Sequence, residues 1–254
     1  MSRQIIILAA GKGTRMNCDG PKVLQEVLGR PMIDYVLDSV EKTGLAVKPV
    51  VIIGFQGNKV RDQVGERAEL VWQQNQFGTG HAVSCASEIL RERNGDVLVL
   101  YGDTPLISPK TINNLFDIHG AEGSMITMMT TEVENFNDWR QGFYGFGRIL
   151  RNGNNSISAI RELKDCSDEE KNIIELNPGY YCFNSEWLWK NIDLISNNNN
   201  QQQEYYLTDL VEMAVQQGRL INSLKIHPIE CLGVNTVEQL KLVEDLLKQK
   251  MVKA

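Results

Sequence analysis

With 254 residues, 42% of them hydrophobic, the chain is long enough to bury a full core without disulfides, as one large domain or as two. A formal net charge of −6 argues against broad binding to nucleic acid, which needs a basic face, and no apolar run approaches transmembrane length. Five scattered cysteines without a CxxC pair do not make a disulfide framework, and His81, His119 and His227 are too dispersed for a transition-metal site, which leaves hard, oxygen-bound Mg2+ as the compatible metal.

The sequence Met1-Ser2-Arg3-Gln4 enters the first strand without the sections of a signal peptide, so a cytoplasmic protein with reduced thiols is expected. Asn154-Asn155-Ser156 matches a glycosylation acceptor, which is incidental in that setting.

Residues 4–9 are apolar and β-branched, as in a buried parallel strand, and run into a glycine-rich loop containing Gly11 and Gly13. Ile33, Val36, Leu37 and Val40 are spaced as one face of a helix ending near Gly44. Strands are predicted over 50–53, 70–72 and 97–101, with a short helix over 58–64 and a longer one over 80–93. Four strand-then-helix units point to right-handed crossovers and a parallel sheet covered on both faces.

The second half changes character. A turn region over 142–147 precedes a strand pair at 148–151 and 157–162, read as an insertion beside the main sheet. A strand over 177–183, a helix bearing Leu207, Leu210, Val211 and Ala214 and closed by Gly218, and a strand over 221–227 follow. Residues 197–203 form a polar loop, and the last helix, 236–252, buries Val237, Leu240, Val243 and Leu247 opposite a Glu244–Lys248 pair.

The loop after the first strand reads as an anion cradle. Small residues let backbone N–H groups approach a phosphate, and Arg15 and Lys22 add two cations. It is neither a P-loop, which needs Lys and Ser/Thr directly after the second of two glycines with four residues between them, nor a dinucleotide fingerprint, which needs a third glycine near Met16 and an acid about twenty residues on. In an open parallel sheet ligands gather beyond the carboxyl ends of the strands. Three segments fall there: residues 10–22, Gln73 with Gly78-Thr79, and Tyr101-Gly102-Asp103-Thr104-Pro105. Asp103, fixed between Gly102 and Pro105, suits a Mg2+ completed by waters and substrate phosphates. It also suits the cap of a following turn.

Taken in order, the loop 8–16, Pro21-Lys22-Val23-Leu24, Gly78-Thr79-Gly80-His81-Ala82, the 101–107 segment, Gly145-Phe146-Gly147-Arg148-Ile149, Glu204-Tyr205-Tyr206-Leu207-Thr208-Asp209 and Gly233-Val234-Asn235 resemble the uridyltransferase domain of the bacterial N-acetylglucosamine-1-phosphate uridyltransferases. The resemblance spans nearly the whole chain. It implies an α/β fold with a Rossmann-like mixed, mostly parallel sheet and helices on both faces, and a nucleotidyltransferase domain over 1–235 with a sugar-binding insertion at about 140–180, closed by a C-terminal helix over 236–254. It implies Mg2+-dependent transfer of UMP from UTP to N-acetylglucosamine 1-phosphate.

By the same resemblance, Arg15 and Lys22 are the catalytic cations. Leu8, Ala10, Gly11, Gly13, Gln73, Gly78 and Thr79 hold the nucleotide, and Tyr101, Gly145, Glu162 and Asn177 hold the sugar phosphate. Asp103 and Asn235 are the metal ligands. Asn235 also suits a helix N-cap, Asn177 before Pro178 a turn, Glu162 an exposed strand end and Tyr101 a core position, and a neighbouring amide of Gln74-Asn75-Gln76 suits the role assigned to Gln73.

The expected partners are UTP and a sugar 1-phosphate, with no nucleic acid and no membrane insertion, in a monomer or weak homo-oligomer. The hexapeptide periodicity of the family's left-handed β-helix acetyltransferase domain is missing from these residues, so acetyl transfer is not expected. Tyr180, Tyr181 and Tyr144 are bulkier than the family pattern on the sugar side. A different nucleotide or sugar phosphate, or a regulatory protein that binds a sugar nucleotide without turnover, are the rival readings.

Overall fold

The computed structural model describes residues 2–13, 19–197 and 204–253. Strand β1 (Arg3–Ala9) leads through the loop to a hairpin of β2 (Glu26–Val27) and β3 (Arg30–Pro31), then to α1 (Met32–Glu41), β4 (Val50–Ile53), α2 (Gly57–Val64) and β5 (Glu69–Trp72). Next come α3 (Thr79–Cys85), α4 (Ser87–Leu90), β6 (Asp96–Tyr101), α5 (Pro109–Glu122) and β7 (Ile126–Glu132). The second half contains β8 (Gly147–Arg151), β9 (Ile157–Arg161), β10 (Glu175–Asn177), β11 (Tyr181–Asn184), α6 (Ser185–Asn191), α7 (Asp209–Gln216), β12 (Ile221–Ile226) and α8 (Val237–Lys253).

One 10-stranded sheet runs in the order β5-β4-β1-β6-β11-β7-β10-β8-β9, with β12 alongside β7. From β5 to β6 every pairing is parallel. Beyond β6 the pairings are antiparallel, except for β12 on β7. Side chains alternate between the faces, so each central strand feeds two cores. In β1, Ile5, Ile7 and Ala9 join α1 and α5 in one core, and Ile6 joins α3, α6 and α7 in the other. Ile33, Val36, Leu37 and Val40 are all buried as their spacing predicts, each contributing up to about 1.5–3 kcal/mol.

Several details depart from the sequence reading. The predicted helix over 80–93 is two helices, because at Ala86 the ladder tightens to a bond from the Ala86 N–H to the Val83 carbonyl at 3.0 Å. The predicted strand over 177–183 is broken between β10 and β11. Pro178 has no N–H to give, Gly179 sits at φ +87°, and the Asn177 side chain accepts from the Gly179 N–H at 3.0 Å.

That break forks the sheet. β10 and β11 share β7 on one edge, but on the other β11 pairs with β6 and β10 with β8. The β8–β9 arm is thus an extension of the main sheet rather than a separate insert, and it leaves a cleft between itself and the end of β6. In α8, Val243 is buried but Val237 is 65% exposed, and Lys248 pairs with Asp245 at 3.8 Å. Glu244 instead accepts the Leu28 N–H at 3.0 Å and ties α8 to the β2–β3 hairpin.

Candidate functional site

Two adjoining cavities open at the carboxyl rim of the parallel strands. The smaller, about 320 Å³, is lined by the loop after β1, by Lys22, by Gln73 and Gln76, and by Asp103. The larger, about 660 Å³, lies in the fork of the sheet between Tyr101 and the β8–β9 arm. Thr79, Tyr101 and Glu204 line both, so they form one cleft.

Around the loop after β1, the wall of the smaller cavity is fixed by backbone groups. The Leu8 carbonyl accepts from Gly102 N–H at 2.9 Å, and the Ala10 carbonyl accepts from Phe55 N–H at 3.2 Å and from Gln76 Nε2 at 2.6 Å. Gly11 has nothing within 4 Å of where a Cβ would stand and no left-handed φ, so neither packing nor backbone requires a glycine there. Gly13 packs against the Lys22 stem, 2.9 Å from its Cβ to an added methyl. Gly78, at φ +108°, approaches the Tyr205 backbone so closely that a side chain would clash. Thr79 Oγ1 accepts from Leu207 N–H at 3.1 Å, which docks the 204–208 segment over both cavities.

Three segments distant in sequence meet at Lys22. Its ammonium forms an ion pair with Asp103 and donates to Asn235 Oδ1 at 2.7 Å. Gly102 at the end of β6 aims Asp103, and Val234, buried, donates to the Asp103 carbonyl at 3.2 Å to bring Asn235 alongside. Asn235 is not the helix cap. Thr236 Oγ1 accepts from Gln239 N–H at 3.3 Å, and Gln239 Oε1 accepts from Asn235 N–H at 2.7 Å, a variant of the capping box that leaves the asparagine side chain for the site.

A carboxylate oxygen and an amide oxygen already converge on one cation, and both are hard donors that suit Mg2+. Among the described residues no group of three His, Cys, Asp or Glu could hold a metal. Asp103 and Asn235 therefore fit an ion whose remaining ligands come from substrate and water. Arg15 lies outside the described residues.

On the other side, Tyr101 packs edge-on against Tyr180 and its hydroxyl lies against Gly179, where burial pushes its pKa up. Glu162 lines the larger cavity, and burial, reinforced by Asp165, raises its pKa against a hydrogen bond from Thr208. Gly145 lines it too, again with nothing near a would-be Cβ. Asn177 lines the cavity while its Oδ1 makes the turn described above.

The sequence reading did not single out Arg148, which supports this wall. Fully buried, it donates to the carbonyls of Tyr144 at 2.7 Å, of Phe146, and of Lys171 at 3.2 Å, between the rings of Phe136 and Tyr144. Its place directly after Gly145-Phe146-Gly147 was the available signal. Gln76 was visible only as one of several neighbouring amides.

A nucleotidyltransferase with an α/β core is the class of protein that this fold and cleft define. The MobA-like NTP transferase domain model matches residues 5–243, and the chain belongs to that family. It is 41% identical over 250 residues to the bifunctional protein GlmU of Heliobacterium modesticaldum, covering 98% of this chain and 53% of that protein. To the bifunctional protein GlmU of Acetivibrio thermocellus it is 37% identical over 249 residues, covering 98% of this chain and 52% of that protein. The chain thus spans about half the length of these curated relatives.

The fold is shared with a UDP-glucose pyrophosphorylase complexed with UDP-glucose (TM-score 0.73, 16% identity, 98% of this chain and 100% of that one). It is also shared with a CMP:2-keto-3-deoxy-manno-octonic acid synthetase complexed with CTP (TM-score 0.70, 16% identity, 98% and 100%). Among the described residues no helix is long and apolar enough to cross a membrane.

Proposed function

We propose that the protein transfers UMP from UTP to N-acetylglucosamine 1-phosphate, with Mg2+, releasing pyrophosphate. The observation that carries this is the meeting of Lys22, Asp103 and Asn235 at the edge of a nucleotide-sized cavity that opens into a second one. The family supports nucleotidyl transfer to a sugar phosphate, and the sugar and base are the finer part of the proposal.

In this reading the small cavity takes UTP, with Leu8, Ala10, Gly11, Gly13, Gln73, Gly78 and Thr79 around base and ribose, and Arg15 and Lys22 against the phosphates. The larger takes the sugar phosphate, its hydroxyls facing Glu162 and Asn177, with Tyr101 and Gly145 forming the walls. A Mg2+ held by Asp103 and Asn235 would cancel phosphate charge. Lys22, which lines the smaller cavity and is held by Asp103 and Asn235, is the ammonium within reach of the triphosphate.

An oxygen of the sugar phosphate forms the new bond to the α-phosphorus, and the bond to the departing pyrophosphate breaks in line. That oxygen is already ionised near neutral pH, so no protein base or nucleophile is required. Positioning and charge stabilisation by Arg15 and Lys22 do the work. The division into a body over 1–235, a sugar-binding segment over 140–180 and a closing helix over 236–254, a cytoplasmic location, and a monomeric or weakly associated state belong to the same proposal.

Pyrophosphate release measured with each of the four NTPs against a panel of sugar 1-phosphates tests it. The highest kcat/KM is expected for UTP with N-acetylglucosamine 1-phosphate. Tight UDP-sugar binding with no release from any pair would replace the enzyme with a binding protein.

A further inference from the structure

The base-side wall of the smaller cavity holds a contact that phosphate chemistry does not use. Gln73, 4% exposed, leaves β5 with its backbone N–H bonded to the Ile53 carbonyl at 2.8 Å. Its side-chain nitrogen stands 3.1 Å from the Gly78 carbonyl oxygen and 3.0 Å from His81 Nδ1.

A carbonyl oxygen only accepts, so Gly78 settles which end of the amide is nitrogen. That nitrogen has two hydrogens. One goes to Gly78, so the other faces His81 Nδ1, which must then be an unprotonated acceptor with the ring proton on Nε2. Both donors of Gln73 are engaged within the protein, and because Gln73 lines the smaller cavity, Oε1 is the polar atom that it can offer a ligand.

His81 is itself held fast. It sits in α3, with the Phe77 ring at 5.2 Å and the Tyr205 ring at 6.4 Å between centroids. Burial lowers its pKa, against a hydrogen bond to the Asn75 backbone, and so favours the neutral ring that the contact needs.

We propose that His81 is a positioning residue for base selection: its Nδ1 locks the Gln73 amide with the carbonyl oxygen toward the cavity, so that the site takes a base offering a ring N–H and disfavours one offering a ring lone pair. Uracil carries an N–H at that edge, whereas cytosine carries a lone pair there and so meets oxygen with nitrogen. The inference deepens the uridylyl-transfer reading and rests on it.

His81→Phe keeps a ring of similar size and deletes the acceptor, whereas the side-chain oxygen of His81→Asn can stand near the position of Nδ1. With His81→Phe the KM for UTP is expected to rise about tenfold, the scale of one lost buried hydrogen bond, with kcat little changed. The UTP-over-CTP ratio of kcat/KM falls by a similar factor, and His81→Asn restores most of it. An unchanged ratio in His81→Phe, or a His81→Asn variant as unselective as His81→Phe, would overturn the proposal.

The 15N NMR spectrum of the wild-type histidine supplies a readout that needs no variant to fold. A proton on Nε2 with bare Nδ1 is expected, and a protonated Nδ1 overturns the proposal. A wild-type enzyme that prefers a purine triphosphate defeats the uridylyl reading, while the NMR result still judges the role of His81.

Discussion

The parallel and antiparallel halves of the sheet build their parts of the cleft by different means. From β5 to β6, short loops at the strand ends line the cavity with small residues, Ala9, Ala10, Gly11 and Gly78, among which Lys22, Gln73, Gln76 and Asp103 stand. Beyond the fork, the wall carries more side chains: Tyr101 at the end of β6, Asn177 at the end of β10, Glu162 just after β9 and Tyr206 in the 204–208 segment. A backbone cradle suits a ligand part that never changes, such as a triphosphate. Side chains on an arm are easily exchanged and suit the part that sets specificity. Lys22, Asp103 and Asn235 stand where the invariant chemistry belongs, on the parallel side.

Removing charge from the parallel side should have the largest effect. Lys22→Ala or Asp103→Ala is expected to lower kcat by at least about 100-fold, the scale of losing one electrostatic stabiliser, with the circular dichroism spectrum unchanged. Wild-type turnover in either variant would remove these residues from the chemistry.

Two cavity-lining glycines, Gly11 and Gly145, separate the halves more finely. Gly145→Val should raise the KM for the sugar 1-phosphate about tenfold while leaving that for UTP alone, and Gly11→Ala should do the reverse, each adding bulk at a cavity wall where no described atom lies within 4 Å of the new Cβ. Steady-state kinetics with either substrate varied would show it, and equal effects on both KM values would erase the distinction.

The smallest effect concerns Asp209, at the start of α7 beside the larger cavity. Burial, with Glu212 and Glu162 nearby, pushes its pKa up to about 6. A raised carboxyl pKa means that the folded state holds the proton more tightly than the unfolded one, so stability falls as pH rises through about 6. Asp209→Asn should therefore stabilise the protein by about 1 kcal/mol at pH 8, partial exposure screening the rest, and the gain should shrink as pH falls below 6. Thermal melts at several pH values would read it. A gain that grows on acidification would contradict burial as the cause.

Much of the parallel half was legible because its strands are short, apolar and β-branched and its loops carry glycines. The strand expected over 50–53 coincides with β4, and α1 buries the four residues its spacing marks. The helix α5 was not located, although Ser108 caps it by accepting from Thr111 N–H at 3.1 Å, Pro109 opens it and Gly123 closes it. Its apolar stripe, Ile112, Leu115 and Phe116, is short and continues in a histidine, His119, so the caps were the clearer signal. β7, central to the second half, was missed because Thr127, Thr130 and Thr131 read as polar, though all three are buried.

The site's residue types were readable from motifs, but their convergence was not. Nothing local in the sequence shows that Lys22 reaches Asn235, or that Asn235 leaves the capping of α8 to Thr236 and Gln239. The amide orientation of Gln73 likewise depends on a carbonyl and a histidine fixed by the fold.

The central claim is that a sugar phosphate attacks UTP directly across the Lys22–Asp103–Asn235 junction, with no protein nucleophile between them. Exchange of labelled pyrophosphate into UTP tests it most directly. The account predicts exchange when UDP-N-acetylglucosamine is present, none when it is left out, and loss of exchange in Asp103→Ala. Exchange with UTP and enzyme alone would reveal a covalent uridylyl-enzyme and contradict it.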